Sequence, residues 1–217
     1  MFSVKNFCTA GCNHVLIWLS AAVMMAASLS GAAAQQKLMV YGDSLVAGYG
    51  LDAGQGFPEQ LQAALTAAGR DVKVLNAGVS GDTTAGGLAR LDWALADRPD
   101  AVVLVLGGND LLRGLNPEQT RTNLHAMLTR LRTDGIAVLL CGMLAPVNLG
   151  SDYRQQFDAI YPELATEFAI DLYPFFLDGV ALQPQLNLPD GLHPNTQGVA
   201  LITARILPSV LLLLEAG

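Results

Sequence analysis

The chain has 217 residues, 52% of them hydrophobic and 14% charged, with a formal net charge of −7. That length suits one domain with a full core, and the composition excludes a disordered chain. The acidic balance, with no basic run or interleaved aromatic patch to offset it, excludes nucleic-acid backbones as partners.

Residues 1–34 read as an export signal. Lys5 gives a positive start, Val15 to Leu29 is apolar apart from Ser20 and Ser28, and Ala32-Ala33-Ala34 offers a cleavage site before Gln35-Gln36. An uncleaved anchor is the alternative, because the run approaches bilayer-spanning length. No Cys follows it, so no lipid anchor is implied. The mature domain, residues 35–217, is then expected in the periplasm or outside the cell without a stable membrane anchor. Cleavage removes Cys8, Cys12 and His14, leaving Cys141, His125 and His193. One cysteine cannot form an internal disulfide, and this inventory argues against a structural zinc cluster. Acid–base chemistry near neutral pH falls to one of two imidazoles.

From residue 35 onward, short apolar runs alternate with stretches of helical period. In chain order the reading is strand Leu38–Tyr41, helix Pro58–Ala68, strand Val72–Leu75, helix Ala85–Ala96 and strand Ala101–Leu106. Helix Pro117–Arg132, strand Ile136–Cys141, helix Asp152–Phe168, strand Ile170–Tyr173 and helix Thr196–Leu214 follow. The strands are apolar on both faces, as expected when helices cover them on either side. Asn116, Pro117 and Gln119 predict an N-cap, a first helical position and a capping box. Leu211–Leu214 is too short to span a membrane and is expected to pack the last helix on the sheet. Alternation of this kind implies right-handed crossovers and a three-layer α/β/α sandwich around a mostly parallel five-stranded sheet.

Such sheets bind ligands beyond the carboxyl ends of their strands. There the sequence places Gly42-Asp43-Ser44, Asn76-Ala77-Gly78-Val79-Ser80-Gly81, Gly107-Gly108-Asn109-Asp110 and, after a longer loop, Asp190-Gly191-Leu192-His193-Pro194-Asn195. Acyl transfer needs a nucleophile, a base, a group orienting the base and donors for an oxyanion. Ser44 can attack, His193 can take and return its proton, and Asp190 can fix the imidazole tautomer from three residues upstream. The N–H groups of Ser44 and Gly78 and the amide of Asn109 are the candidate oxyanion donors. Each segment alone is weak evidence, since Ser, Asn and Gly are common in caps and turns.

Other assignments compete less well. His125 lies mid-helix without an acidic neighbour in sequence and reads as structural or surface. Cys141 ends an apolar strand and reads as a buried, inert thiol. Ser80 misses the G-x-S-x-G elbow by one position. Asp43 and Asp110 could be a glycosidase-type carboxylate pair, but tying the site loops together is the preferred role. No P-loop or G-x-G-x-x-G pattern is present. Leu111, Leu112, Leu115, Met143, Leu144, Pro146 and Val147 stand at the expected mouth. An acyl-chain surface and ordinary packing are the two readings.

Gly42-Asp43-Ser44-Leu45, Gly78, Gly107-x-Asn109-Asp110 and Asp190-x-x-His193-Pro194, in that order, resemble the four blocks of the SGNH or GDSL-type hydrolases across nearly the whole mature chain. Gly107-Gly108-Asn109-Asp110, Arg113-Gly114 and Pro174-Phe175-Phe176 are similar to the bacterial periplasmic thioesterase I/lysophospholipase/arylesterase group. The resemblance implies a flavodoxin-like sheet and a mechanism without metal or cofactor. It also implies hydrolysis of acyl esters and thioesters through an acyl-enzyme on Ser44. It further implies a mobile loop after the third block, which Gly114 would permit. A monomer is expected. A carbohydrate acetylesterase would show a more open, polar and aromatic cleft, and a silent binding module would lack a catalytic residue.

Overall fold

A parallel sheet organises residues 35–216, which with residues 1 and 2 are the part of the chain that the computed structural model describes. The expected export signal, beyond its first two residues, lies outside the described residues. Strand β1 (Gln36–Gly42) pairs on one side with β2 (Val72–Gly78) and on the other with β3 (Ala101–Val105). Strand β3 pairs with β4 (Ala137–Cys141), and β4 with β5 (Asp171–Tyr173). The order is β2-β1-β3-β4-β5, parallel throughout.

The burial of each strand follows from its place. Every residue of β3 is buried, as are Leu38–Gly42 of β1, whereas the edge strands β2 and β5 are only partly covered. Central strands covered by helices on both faces need apolar residues at every position, which explains their unbroken Val and Leu runs.

Seven α-helices accompany the sheet among the described residues: α1 (Ser44–Ala47), α2 (Phe57–Ala67), α3 (Thr84–Leu95), α4 (Gly108–Leu112), α5 (Pro117–Thr133), α6 (Ser151–Phe168) and α7 (Thr196–Ala216). Helix α2 packs with α7, while α3, α5 and α6 pack in series, giving the two helical layers of the expected α/β/α sandwich. By length and composition α7 could cross a membrane. Its Val199, Ile202, Ile206, Val210 and Leu213 instead form a buried stripe at helical spacing. Leu214 is buried too and Leu212 exposed, so the leucine run faces the core on one side only.

Helices α1 and α4 were not expected, being only four and five residues long. Neither is long enough to show a period; each exists because its cap and its neighbours hold it. The predicted capping box does not form. Asn116 Oδ1 accepts from Glu118 N at 2.9 Å, but Gln119 turns its amide to Asn123 Oδ1 at 3.1 Å.

Gly107, at the start of α4, has φ of 112°, and a Cβ there would collide with the Tyr161 hydroxyl. That hydroxyl donates to Leu106 O at 2.9 Å and cannot easily retreat. Gly107→Ala is therefore expected to lower the unfolding free energy by about 1–3 kcal/mol. The loss should be smaller in a Tyr161→Phe background. Urea denaturation of the four proteins checks both statements.

Candidate active site

The first strand delivers Ser44. Beyond Gly42 the chain turns at Asp43, whose Oδ1 accepts from Leu45 N at 3.0 Å and caps α1. Ser44 opens that helix, and Gly48 ends it in the left-handed conformation. The nucleophile candidate thus sits at a short helix N-terminus directly above the sheet.

The last loop brings the base to it. His193 Nε2 lies 2.8 Å from Ser44 Oγ, and His193 Nδ1 lies 2.7 Å from Asp190 Oδ2. Asp190 Oδ1 accepts the backbone N–H of Leu192 at 2.9 Å and of His193 at 3.0 Å. Those backbone donors, the His193 N–H first, hold the Asp190 carboxyl down to about 2. It is therefore ionised wherever an imidazole can change its charge. The ring of Tyr49 stands 4.6 Å from that of His193, centroid to centroid.

The three candidate oxyanion donors differ in how free they are. Asn109 Nδ2 donates to Asp43 Oδ2 at 3.2 Å, which leaves its second N–H for a ligand. Gly78, however, has its N–H engaged by Asn76 Oδ1 at 3.0 Å. It is glycine for a packing reason, because a Cβ there would strike the backbone of Ala47 in α1. Three residues on, Gly81 has φ of +85°, and Arg113 Nη2 holds its carbonyl at 2.8 Å. No described residue accepts from its N–H. The signal was present in the sequence as the second glycine of Gly78-Val79-Ser80-Gly81.

Asp43 and Asp110 are each 1% exposed and both are occupied. Asp110 Oδ2 accepts from Thr84 N at 2.8 Å, and its Oδ1 accepts from the hydroxyls of Thr84 and Thr120. Asn123 donates in turn to Thr84 Oγ1 at 3.0 Å. The two carboxylates tie loops together and present no free face to a sugar. Arg90 adds a further tie, donating to Asp82 Oδ2 at 2.6 Å and to Gly42 O at 2.8 Å while covering the Tyr41 ring.

A cavity of about 340 Å³ opens beside Ser44, Asn109 and His193. All four candidate substrate-binding residues, Leu111, Leu112, Met143 and Leu144, line it. Phe175, Leu177, Ala181 and Leu182 also line it and were not among the residues that the sequence suggests. That stretch has no period to betray it. Leu115 and Val147 do not line the cavity, and Val147 is 78% exposed.

Two other candidates stand apart. His125 bonds Glu167 at 2.9 Å and meets the Phe168 edge, so its acidic partner comes from the neighbouring helix. Cys141 is fully buried, and burial pushes its thiol far up, which keeps it protonated and inert. Among the described residues no group of three or more His, Cys, Asp or Glu could hold a metal ion.

Comparison with known proteins agrees with this geometry. The model of the GDSL-like Lipase/Acylhydrolase family matches residues 40–201. Esterase TesA of Pseudomonas aeruginosa is 42% identical over 183 residues, covering 84% of this chain and 91% of that protein. Thioesterase 1/protease 1/lysophospholipase L1 of Escherichia coli strain K12 is 40% identical over 184 residues, covering 84% and 87%. The crystal structure of TesA superposes with a TM-score of 0.78 at 42% identity, covering 82% of this chain and 99% of that one.

Burial pushes the Asp43 carboxyl up to about 6, against an unfolded value of 3.8. A raised folded value gives a stabilising contribution that is complete below pH 3.8 and lost as pH rises through 6. Asn cannot titrate, so Asp43→Asn should gain on the parent protein across that interval, by up to about 3 kcal/mol. Denaturant midpoints of both proteins at pH 4 and pH 7.5 test the sign.

Proposed function

The chain belongs to the GDSL-like lipase/acylhydrolase family, and we propose that it is an exported serine hydrolase cleaving acyl esters and thioesters through an acyl-enzyme on Ser44. The observation that carries this reading is the continuous relay from Ser44 Oγ through His193 to Asp190, at 2.8 and 2.7 Å.

In the first half-reaction His193 Nε2 removes the Ser44 hydroxyl proton as Oγ attacks the acyl carbon. The carbonyl π electrons move to oxygen, and the oxyanion accepts from the Ser44 N–H and Asn109 Nδ2. The Gly81 N–H, in place of that of Gly78, is the third donor in this proposal. Ionised Asp190 steadies the imidazolium so formed. The tetrahedral adduct then collapses, and His193 gives its proton to the departing alkoxide or thiolate. Water repeats the sequence with His193 again as base, releasing the acid and restoring Ser44.

The apolar cavity beside Ser44 supports an acyl chain as the group transferred. A carbohydrate acetylesterase is the second reading, and the leucine and methionine lining weighs against it. Every catalytic group of the proposal is present in one chain, which supports an active monomer and weighs against a silent binding module. Export rests on the charged, apolar and small-residue succession within residues 1–34.

A fluorophosphonate should label the parent protein and leave Ser44→Ala unlabelled; persistent labelling of that variant sinks the assignment. Asp190→Asn should label slowly and lose kcat by about 10³–10⁴-fold, as expected when the base loses its tautomer. The same label applied to periplasmic and cytosolic fractions reads out export.

Across esters from acetyl to palmitoyl, kcat/KM should climb by about fourfold per methylene until the cavity is filled, at about 0.8 kcal/mol for each buried CH₂. A flat series would remove the acyl groove, and a sharp preference for acetyl would favour the second reading.

A further inference from the structure

Asn109 has an amide that can point either way. One end of its side chain donates and the other accepts, and only the donating end can serve an oxyanion. Something must therefore select its orientation. Among the described residues the one hydrogen-bond partner of that amide is Asp43, whose Oδ2 receives Nδ2 at 3.2 Å. An ionised carboxylate only accepts, so turning the Asn109 carbonyl toward it would set two acceptors against each other.

We infer that Asp43 is a positioning residue for catalysis: its carboxylate holds the donor end of Asn109 toward the reacting carbonyl oxygen. Its other oxygen, on the Leu45 N–H, ties that setting to the turn carrying Ser44. This inference rests on Asn109 as an oxyanion donor in the reaction proposed above.

Capping alone does not explain an aspartate at this position. Ser, Thr or Asn would cap α1 about as well without placing a carboxylate where it is 1% exposed. Burial pushes that carboxyl up, so its presence is costly to the fold. What the neutral caps lack is two acceptor oxygens facing two different donors. In Asp43→Asn one of the two oxygens becomes an NH₂. Either the Leu45 N–H loses its acceptor, or Asn109 meets a donor and turns its carbonyl inward. The contact is also close-fitting, since a Cβ on the neighbouring Gly108 would come to 3.3 Å from Asp43 Oδ2.

A double-mutant cycle tests the coupling. The parent, Asp43→Asn, Asn109→Ala and the double variant are assayed with a p-nitrophenyl ester, with rates expressed per fluorophosphonate-titrated site. Asp43→Asn should lower kcat by about 10–100-fold with KM nearly unchanged, and Asn109→Ala by about 10²–10³-fold. The double variant should be no more than about twofold slower than Asn109→Ala, because the first change acts through the second residue. Full multiplication of the two losses, or an unchanged kcat in Asp43→Asn, overturns the inference. If Asp43→Asn does not fold, Asp43→Ser keeps a capping oxygen and runs the same cycle. Persistent labelling of Ser44→Ala would overturn the nucleophile separately, whatever the cycle reports.

Discussion

At the carboxyl ends of β1 and β2, main chains approach more closely than any side chain would allow. A Cβ at Gly42 would meet the Val105 carbonyl and the Val46 side chain, and one at Gly78 would enter the backbone of α1. Two glycines in neighbouring, paired positions thus let a four-residue helix lie directly on the strand ends. The location of Ser44 follows from that contact. A helix so short has little stability of its own. It persists because the sheet supports it from below and Asp43 caps its first turn.

Around this contact, loops are fastened by polar groups rather than by regular structure. Asp110 gathers the start of α3 and the first turn of α5 onto α4, while Arg90 reaches from α3 to Gly42 O. Buried carboxylates and guanidinium contacts add little net stability in such places, but they demand one geometry. Catalysis needs this kind of precision, since charge developing on an oxygen is stabilised only by donors already aimed at it. The cavity beside Ser44 is built differently, from leucine, methionine and phenylalanine on five separate stretches of chain.

Much of this architecture is legible in the amino-acid sequence. The five strands announced themselves as short apolar runs, and the five long helices because burial of one stripe leaves a helical period in the sequence. Ser44, Asn109, Asp190 and His193 could be named because each follows a strand or turn signal and carries distinctive chemistry. Other features left no such trace. Whether Gly78 or Gly81 offers a free N–H depends on where the Asn76 side chain turns, and that is a matter of local contacts. Gln119 fits the capping-box spacing, yet a better partner in Asn123 draws it away. The Glu167 partner of His125 lies 42 residues on, and only the packing of α5 against α6 brings them together. The cavity wall from Phe175 to Leu182 lacks regular structure, so no period could reveal it.

The closeness of Asp190 and His193 in the chain has a consequence for how the site comes into being. Bringing two groups together costs chain entropy that grows with the length of the intervening loop. Here the carboxylate and imidazole are three residues apart, within one turn, and the backbone N–H bonds to Asp190 shape that turn locally. Little ordering beyond the turn itself is needed to join them. The long closure is the other one, between Ser44 and His193, which stand 149 positions apart in the chain. Formation of the sheet accomplishes part of that closure by fixing the chain at β1 beside Ser44 and at β5, and packing of α7 on α2 and β4 then anchors the far side of the loop that carries His193. The hydrogen-bonded series from Ser44 through His193 to Asp190 is therefore made of one pair joined within a turn and one distant serine, and its long-range requirement coincides with completion of the fold.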